Sequence, residues 1–195
     1  GKNGYDAFSL DNTRETLSDQ PGQDSQASLA LAGEAEWQLG EFSTLQANAT
    51  WLESDLDYGF DEDWTFVGIC DGTLCDPVLD FFSHTDSYLR KRNDLSLDVR
   101  LSGNFPVSDA QYIIGLYTER KKENLHRKYY GDFFSFYEVK RRAIYGHFTI
   151  PFNQGLGLTA GIRYEKFGDS YRDTHSFVSV SDDTLRNGEL TLTYQ

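Results

Sequence analysis

"GLGLTAGIRYEKF", residues 155–167, sets Leu156, Leu158, Ala160, Ile162 and Tyr164 on even positions and Thr159, Arg163 and Glu165 on odd ones. A period of two is the mark of a β-strand with unlike faces. This run is unusually long, and its odd face carries glycine, arginine and glutamate. The surroundings of that polar face decide the fold.

The same alternation recurs along the chain. Leu29, Leu31, Gly33, Ala35, Trp37 and Leu39 interleave with Ala30, Ala32, Glu34, Glu36 and Gln38. Leu45, Ala47, Ala49 and Trp51 interleave with Thr44, Gln46, Asn48 and Thr50, and Leu95, Leu97, Val99 and Leu101 with Ser96, Asp98, Arg100 and Ser102. Further apolar faces are Tyr112, Ile114 and Leu116; Ile144, Gly146, Phe148 and Ile150; and Leu190, Leu192 and Tyr194. With a weaker segment at Tyr5 to Leu10, about eight strands are predicted.

The connectors fall into two classes that alternate. Short ones, at 39–42, 104–110 and 151–155, carry turn residues; long ones are expected near 11–27, 57–90, 121–138 and 166–185, rich in Asp, Ser, Gly and aromatics. A meander with tight turns at one end and long loops at the other is the layout of an antiparallel transmembrane β-barrel. Glu34, Glu36, Asp98, Arg100, Arg163 and Glu165 would be costly against lipid or in a dry core, but not against a polar lumen. Trp37, Phe42, Phe105, Tyr112, Phe152 and Tyr194 lie by the short turns, where an interfacial girdle is expected.

Bulk composition agrees. The 195 residues carry 18 Lys and Arg against 31 Asp and Glu, a net charge of −13, which disfavours nucleic acid as a partner. Mean hydropathy is −0.56, and no apolar run approaches the roughly 18 residues of a membrane helix. Neither fact bears on barrels, whose strands are apolar on one face only. No positively charged segment followed by an apolar run opens the chain.

"RAIYGHFTIPFNQGLGLTAGIRYEKF", residues 142–167, resembles the barrel of TonB-dependent outer-membrane receptors, in which such a strand, a short periplasmic turn and a return strand follow one another. "NDLSLDVRLSGN" at 93–104 and "AQYIIGLYTERKKEN" at 110–124 resemble an earlier hairpin of the same family, and 5–22 and 61–76 resemble its loops. The resemblance implies a barrel of about 22 strands with an N-terminal plug, located in the bacterial outer membrane. It further implies binding and import of a scarce nutrient, such as a ferric siderophore, haem or a vitamin, with energy relayed through the TonB system. No plug, TonB box or terminal aromatic strand lies in these residues, so the expectation is a barrel segment from the middle of a longer receptor. The alternatives are a self-contained small outer-membrane barrel with a structural or adhesive role, and a soluble carbohydrate-binding sandwich.

Three basic triplets stand out: 90–92, 120–122 and 140–142. Each lies about ten residues from a short turn, which at ~3.3 Å per residue and a tilt near 45° is a climb of about 23 Å, the height of the lipid band. Parity points Lys91, Arg120, Lys122, Lys140 and Arg142 outward at that rim, where they are expected to bind lipopolysaccharide phosphates. A generic solvated rim is the plain alternative. Tyr58, Phe60, Trp64 and Phe66 are candidate ligand contacts in the 57–90 loop, or serve to pack it.

Cys70 and Cys75 in "CDGTLC" are the only cysteines, and their spacing across an Asp-Gly turn in an oxidising compartment favours a local disulfide. No zinc-type partner follows them. The acidic run 53–63 offers oxygen ligands to calcium but lacks EF-hand spacing, and a solvated loop is the default. His84, His126, His147 and His175 are scattered, with His147 expected to face the lumen, and no G-x-S-x-G is present. No catalytic set, cofactor or metal site is expected.

Overall fold

The computed structural model describes residues 18–20, 22–63, 84–152, 156–175 and 177–194, the side chains of 192–194 excepted. Among these are seven strands: β1 (Gln23–Gln38), β2 (Ser43–Asp61), β3 (Thr85–Asn104), β4 (Gln111–Lys128), β5 (Asp132–Pro151), β6 (Leu156–Asp173) and β7 (Val178–Tyr194). They form one antiparallel sheet in chain order. β1 and β7 are its two edges, so the sheet is open. The weak segment Tyr5 to Leu10, which made up the expected eight, lies outside the described residues.

Register brings like to like. Leu101 opposes Ile114, Val99 opposes Leu116, Leu116 opposes Ile144, and Ile150 opposes Leu158. These pairs build a continuous apolar band on one face, and it stands uncovered: Leu31 is 59% exposed, Leu116 59% and Ile162 67%. Only Ala110, Val139 and Ala143 are buried apolar residues among those described. A water-soluble sandwich would cover such a band with a second layer, and the described residues form no second layer. Trp37, Phe42, Phe105 and Phe152 are about half exposed at the lower edge of the band, and Phe105 packs on Tyr112 with ring centroids 5.1 Å apart. The side chain of Tyr194 is outside the described set.

The expected long connectors are shortened by the strands themselves. Residues 121–128 and 132–138 belong to β4 and β5, joined by a turn at 129–131; 166–173 and 178–185 belong to β6 and β7, joined at 174–177. Likewise 23–27 lie in β1, 57–61 in β2 and 85–90 in β3, while 64–83 fall outside the described residues. The physical reason is that hydrophobic alternation ends where the apolar band ends, but backbone pairing does not. Beyond the band both faces are polar, and cross-strand ion pairs take over: Arg90 to Glu123 at 3.3 Å and Arg120 to Glu138 at 2.5 Å. Strands of 16 to 20 residues therefore run well past the roughly 9–11 residues that a crossing requires.

The polar face is held by side-chain ladders. Gln46 donates to Glu36 at 2.8 Å and accepts from Arg100 at 2.7 Å. The Tyr145 hydroxyl reaches both carboxylate oxygens of Asp98 at 3.0 Å. That reach exists because Tyr145 lies flat across its cross-strand partner Gly115, where an added Cβ would overlap the ring. The Gly115→Val variant must expel the ring and lose the Asp98 bond. A destabilisation of about 1–3 kcal/mol is expected, read as a lowered urea midpoint for unfolding in detergent; Tyr145→Ala in the same background should restore part of it.

Candidate functional site

Beyond the apolar band, toward the turns at 129–131 and 174–177, the two faces carry different chemistry. On the polar face the end of β2 departs from the pattern below it. Up to Trp51 the apolar residues are odd-numbered, but Leu52, Leu56, Tyr58 and Phe60 are even-numbered, while Glu53, Asp55, Asp57 and Asp61 take the odd side. No bulge causes this, since the β2–β3 register is unbroken from Ser43 to Asp61. The sequence itself inverts, so the polar face becomes aromatic above the band and the outer face becomes acidic.

Tyr58 opposes Tyr88, and Tyr88 opposes Arg127. The rings of Tyr58 and Phe60 lie 5.8 Å apart and those of Tyr58 and Tyr88 6.1 Å. The Arg127 guanidinium sits between Tyr88 and Tyr129, at 5.2 and 4.7 Å from their centroids. It is fixed there by two hydrogen bonds to Asp86, at 2.9 and 2.7 Å, with a third to Asp86 from the Tyr88 hydroxyl at 2.8 Å. Lower on this face Arg141 lies over Phe167, and Arg163 lies between Tyr117 and Tyr145 while bonding Glu165 at 2.9 Å. The result is a wall of rings braced by guanidinium groups, suited to planar and anionic groups through stacking, cation–π contact and charge-assisted hydrogen bonds.

Tyr58 and Phe60 are therefore strand residues on the polar face rather than loop residues. Trp64 and Phe66, the other two candidate ligand contacts, lie outside the described residues, as do Cys70 and Cys75. No cluster of three or more potential metal ligands occurs among the described residues. His147 lies on the polar face, opposite Ile113 and Gly161.

Parity divides each basic triplet between the faces. Arg90, Arg92, Lys121 and Arg141 point to the polar side, where each meets a carboxylate: Glu123, Asp94, Glu119 and Glu119 respectively. Lys91, Arg120, Lys122, Lys140 and Arg142 are exposed on the outer side. The structure brings four of these together and sets Lys91 apart, 3.8 Å from Asp55. It adds Lys166, opposite Arg142, which lies in no triplet; the parity of β6 was the signal that could have found it.

No protein-family profile matches this sequence, and no curated protein sequence matches it. Solved structures do. The ferric yersiniabactin uptake receptor FyuA from Yersinia pestis matches over 90% of this chain and 27% of its own, with a TM-score of 0.64 at 12% identity. The ferric-catecholate import receptor Fiu from E. coli K12 matches in its closed form over 90% and 31%, with a TM-score of 0.55 at 11% identity, and in its open form with a TM-score of 0.56. The chain thus spans about a third or less of the receptors it matches, and what it shares with them is the fold.

Burial pushes the Asp86 carboxyl up, but hydrogen bonds from Arg127 and Tyr88 and the Arg127 charge outweigh it and hold the group below its ordinary value of 3.8. A carboxyl depressed in the folded state stabilises fully above its unfolded value and loses that contribution as pH falls through the folded one. Asp86→Asn should therefore lower the urea midpoint near neutral pH, and the gap to wild type should narrow progressively as pH falls below the ordinary carboxylate value of 3.8. A gap that stays constant across that range would show that Asp86 does not titrate with folding.

Proposed function

We propose that this chain forms part of the wall of an outer-membrane receptor that binds a small nutrient chelate and imports it with energy supplied through the TonB system. The observation that carries the reading is the division of the sheet: an uncovered apolar band on one face, and on the other a ladder of polar pairs rising into rings and guanidinium groups. The fold likeness to two ferric siderophore receptors supports the same reading. In it the turns at 39–42 and 105–110 face the periplasm and the opposite turns face the cell exterior. The apolar band meets lipid, and Tyr58, Phe60, Tyr88 and Arg127 line the outer vestibule.

The open sheet bears on the architecture. In hydrocarbon each unpaired backbone group costs several kcal/mol, so a membrane-resident sheet has no free edges. Strands beyond β1 and β7 are needed to close the wall, and a barrel of about 22 strands with a plug is the arrangement we favour. A small closed barrel with an adhesive role accounts less well for the ring-lined upper face.

Planar rings and negative charge fit this wall, and a ferric catecholate chelate, with flat rings around an octahedral iron and a net negative charge, offers both. Deleting the gene for the full protein should abolish growth on one member of a ferric siderophore panel under iron limitation, and loss of TonB should do the same. Tyr58→Ala and Tyr88→Ala should each weaken binding of that chelate by about tenfold, the value of one ring contact at ~1–1.5 kcal/mol. Unchanged growth on every chelate, haem and vitamin B12 in the deletion strain would overturn the receptor reading.

A further inference from the structure

The outer face above the apolar band holds a cationic patch on three adjacent strands. Arg120 directly opposes Lys140, and Arg142 directly opposes Lys166. Like charges placed directly opposite across a sheet repel and destabilise it, so two such pairs side by side are an expense the sheet does not incur elsewhere on this face. Glu138 is the carboxylate nearest the centre, 2.5 Å from Arg120 and 3.0 Å from Lys140. Asp182 lies at the margin, 3.0 Å from Lys166. Hydrogen bonds from Lys140 and Arg120 hold the Glu138 carboxyl below its usual range against the opposing pull of burial, so it is ionised. Five exposed cations still face two carboxylates. Lys122 and Arg142 have no ion-pair partner among the described residues.

The patch also has a shape. Gly168 opposes Lys140 on one side and Asp182 on the other. It lies in a groove of about 330 Å³ lined by Lys140, Arg142, Lys166 and Ser170, with the carboxylates Glu138 and Asp182 also on its walls. Directly below, Ile144, Tyr164 and Ile162 continue the exposed apolar band. Cations above a groove and apolar side chains beneath it match a molecule with phosphates at one end and acyl chains at the other.

We propose that this patch is a binding site for the phosphorylated headgroup of an outer-leaflet glycolipid, with Arg120, Lys140, Arg142 and Lys166 as its phosphate contacts and Lys122 at its margin. Each phosphate relieves one of the like-charge pairs, and the acyl chains lie along the band. Lys91, on the adjoining strand β3, is not part of the site, because it turns to Asp55 on β2, on the side away from the patch. The inference rests on the reading of the band as lipid-facing.

The test uses the full-length protein in detergent and bis-phosphorylated lipid A as probe. Native mass spectrometry should show retained lipid A, and the Lys140→Gln, Arg142→Gln, Lys166→Gln triple variant should retain at least tenfold less. Arg92→Gln, on the opposite face, should retain as much as wild type. Dephosphorylated lipid A should bind as weakly to wild type as intact lipid A binds to the triple variant, and millimolar inorganic pyrophosphate should not displace intact lipid A. Heat-modifiable migration reports folding; if the triple variant lacks it, Arg142→Gln alone, at an exposed and unpaired position, carries the comparison and should show a several-fold loss. Equal retention by a folded variant, or equal loss in Arg92→Gln, overturns the inference. Displacement by pyrophosphate would mean a free-anion site instead. Failure of the wild-type protein to fractionate with the outer membrane would instead sink the lipid-facing reading.

Discussion

A strand polar on one face and apolar on the other must sort its side chains at every second residue while pairing every backbone group sideways. That double requirement governs the molecule. It explains why Leu, Ile, Val and aromatic residues stand open on one face without a covering layer. It also explains why charged residues are affordable in the middle of the strands: they turn away from the apolar side and satisfy one another. Glu36, Gln46 and Arg100 form one such chain, and Asp98 with Tyr145 another. The polar ladders occupy the position that a hydrophobic core takes in a soluble protein.

The same rule divides neighbouring residues of like charge. In "RKR", "RKK" and "KRR" the residues of one parity meet carboxylates on the polar face, on a neighbouring strand or two residues along their own, and those of the other parity face outward. The acidic excess of the chain is therefore unevenly spread. On the outer side it lies along β2, in Glu53, Asp55 and Asp57, while β4 to β6 are basic there. One rim thus presents two electrostatic surfaces side by side, a result invisible in a net charge of −13.

Much of this was legible in the sequence, because period two is a direct image of the constraint. The centres of the strands, the face each apolar residue takes and the outward direction of Lys91, Arg120, Lys122, Lys140 and Arg142 all follow from parity. Strand ends were not legible. Where both faces turn polar, as in "ERKKENLHRK", the alternation that marks a strand vanishes although the hydrogen-bond ladder continues, so these stretches read as loops. The inversion at Trp51 and Leu52 was missed for a related reason: a reading anchored on the lower half of β2 has no cause to expect its upper half to reverse. Lys166 stands alone between Glu165 and Phe167, so clustering of charge along the chain does not mark it. The clustering of Tyr58, Tyr88, Arg127 and Tyr129 depends on cross-strand register, which no single strand encodes.

The connection between β2 and β3 leaves the sheet at Glu62 and rejoins it at His84, and the amide of Glu62 donates to the carbonyl of His84 at 2.9 Å. The Tyr129 hydroxyl donates to Glu62, and the amide of Tyr130 donates to the ring of His84, which stacks on Tyr130 at 4.1 Å. Entry and exit are thus clamped together and braced by the neighbouring hairpin. A clamped stem makes the intervening segment a cassette. Its closure entropy grows only with the logarithm of its length, so lengthening or replacing it costs the sheet little. Changes of length or sequence there leave the ladder beneath in register.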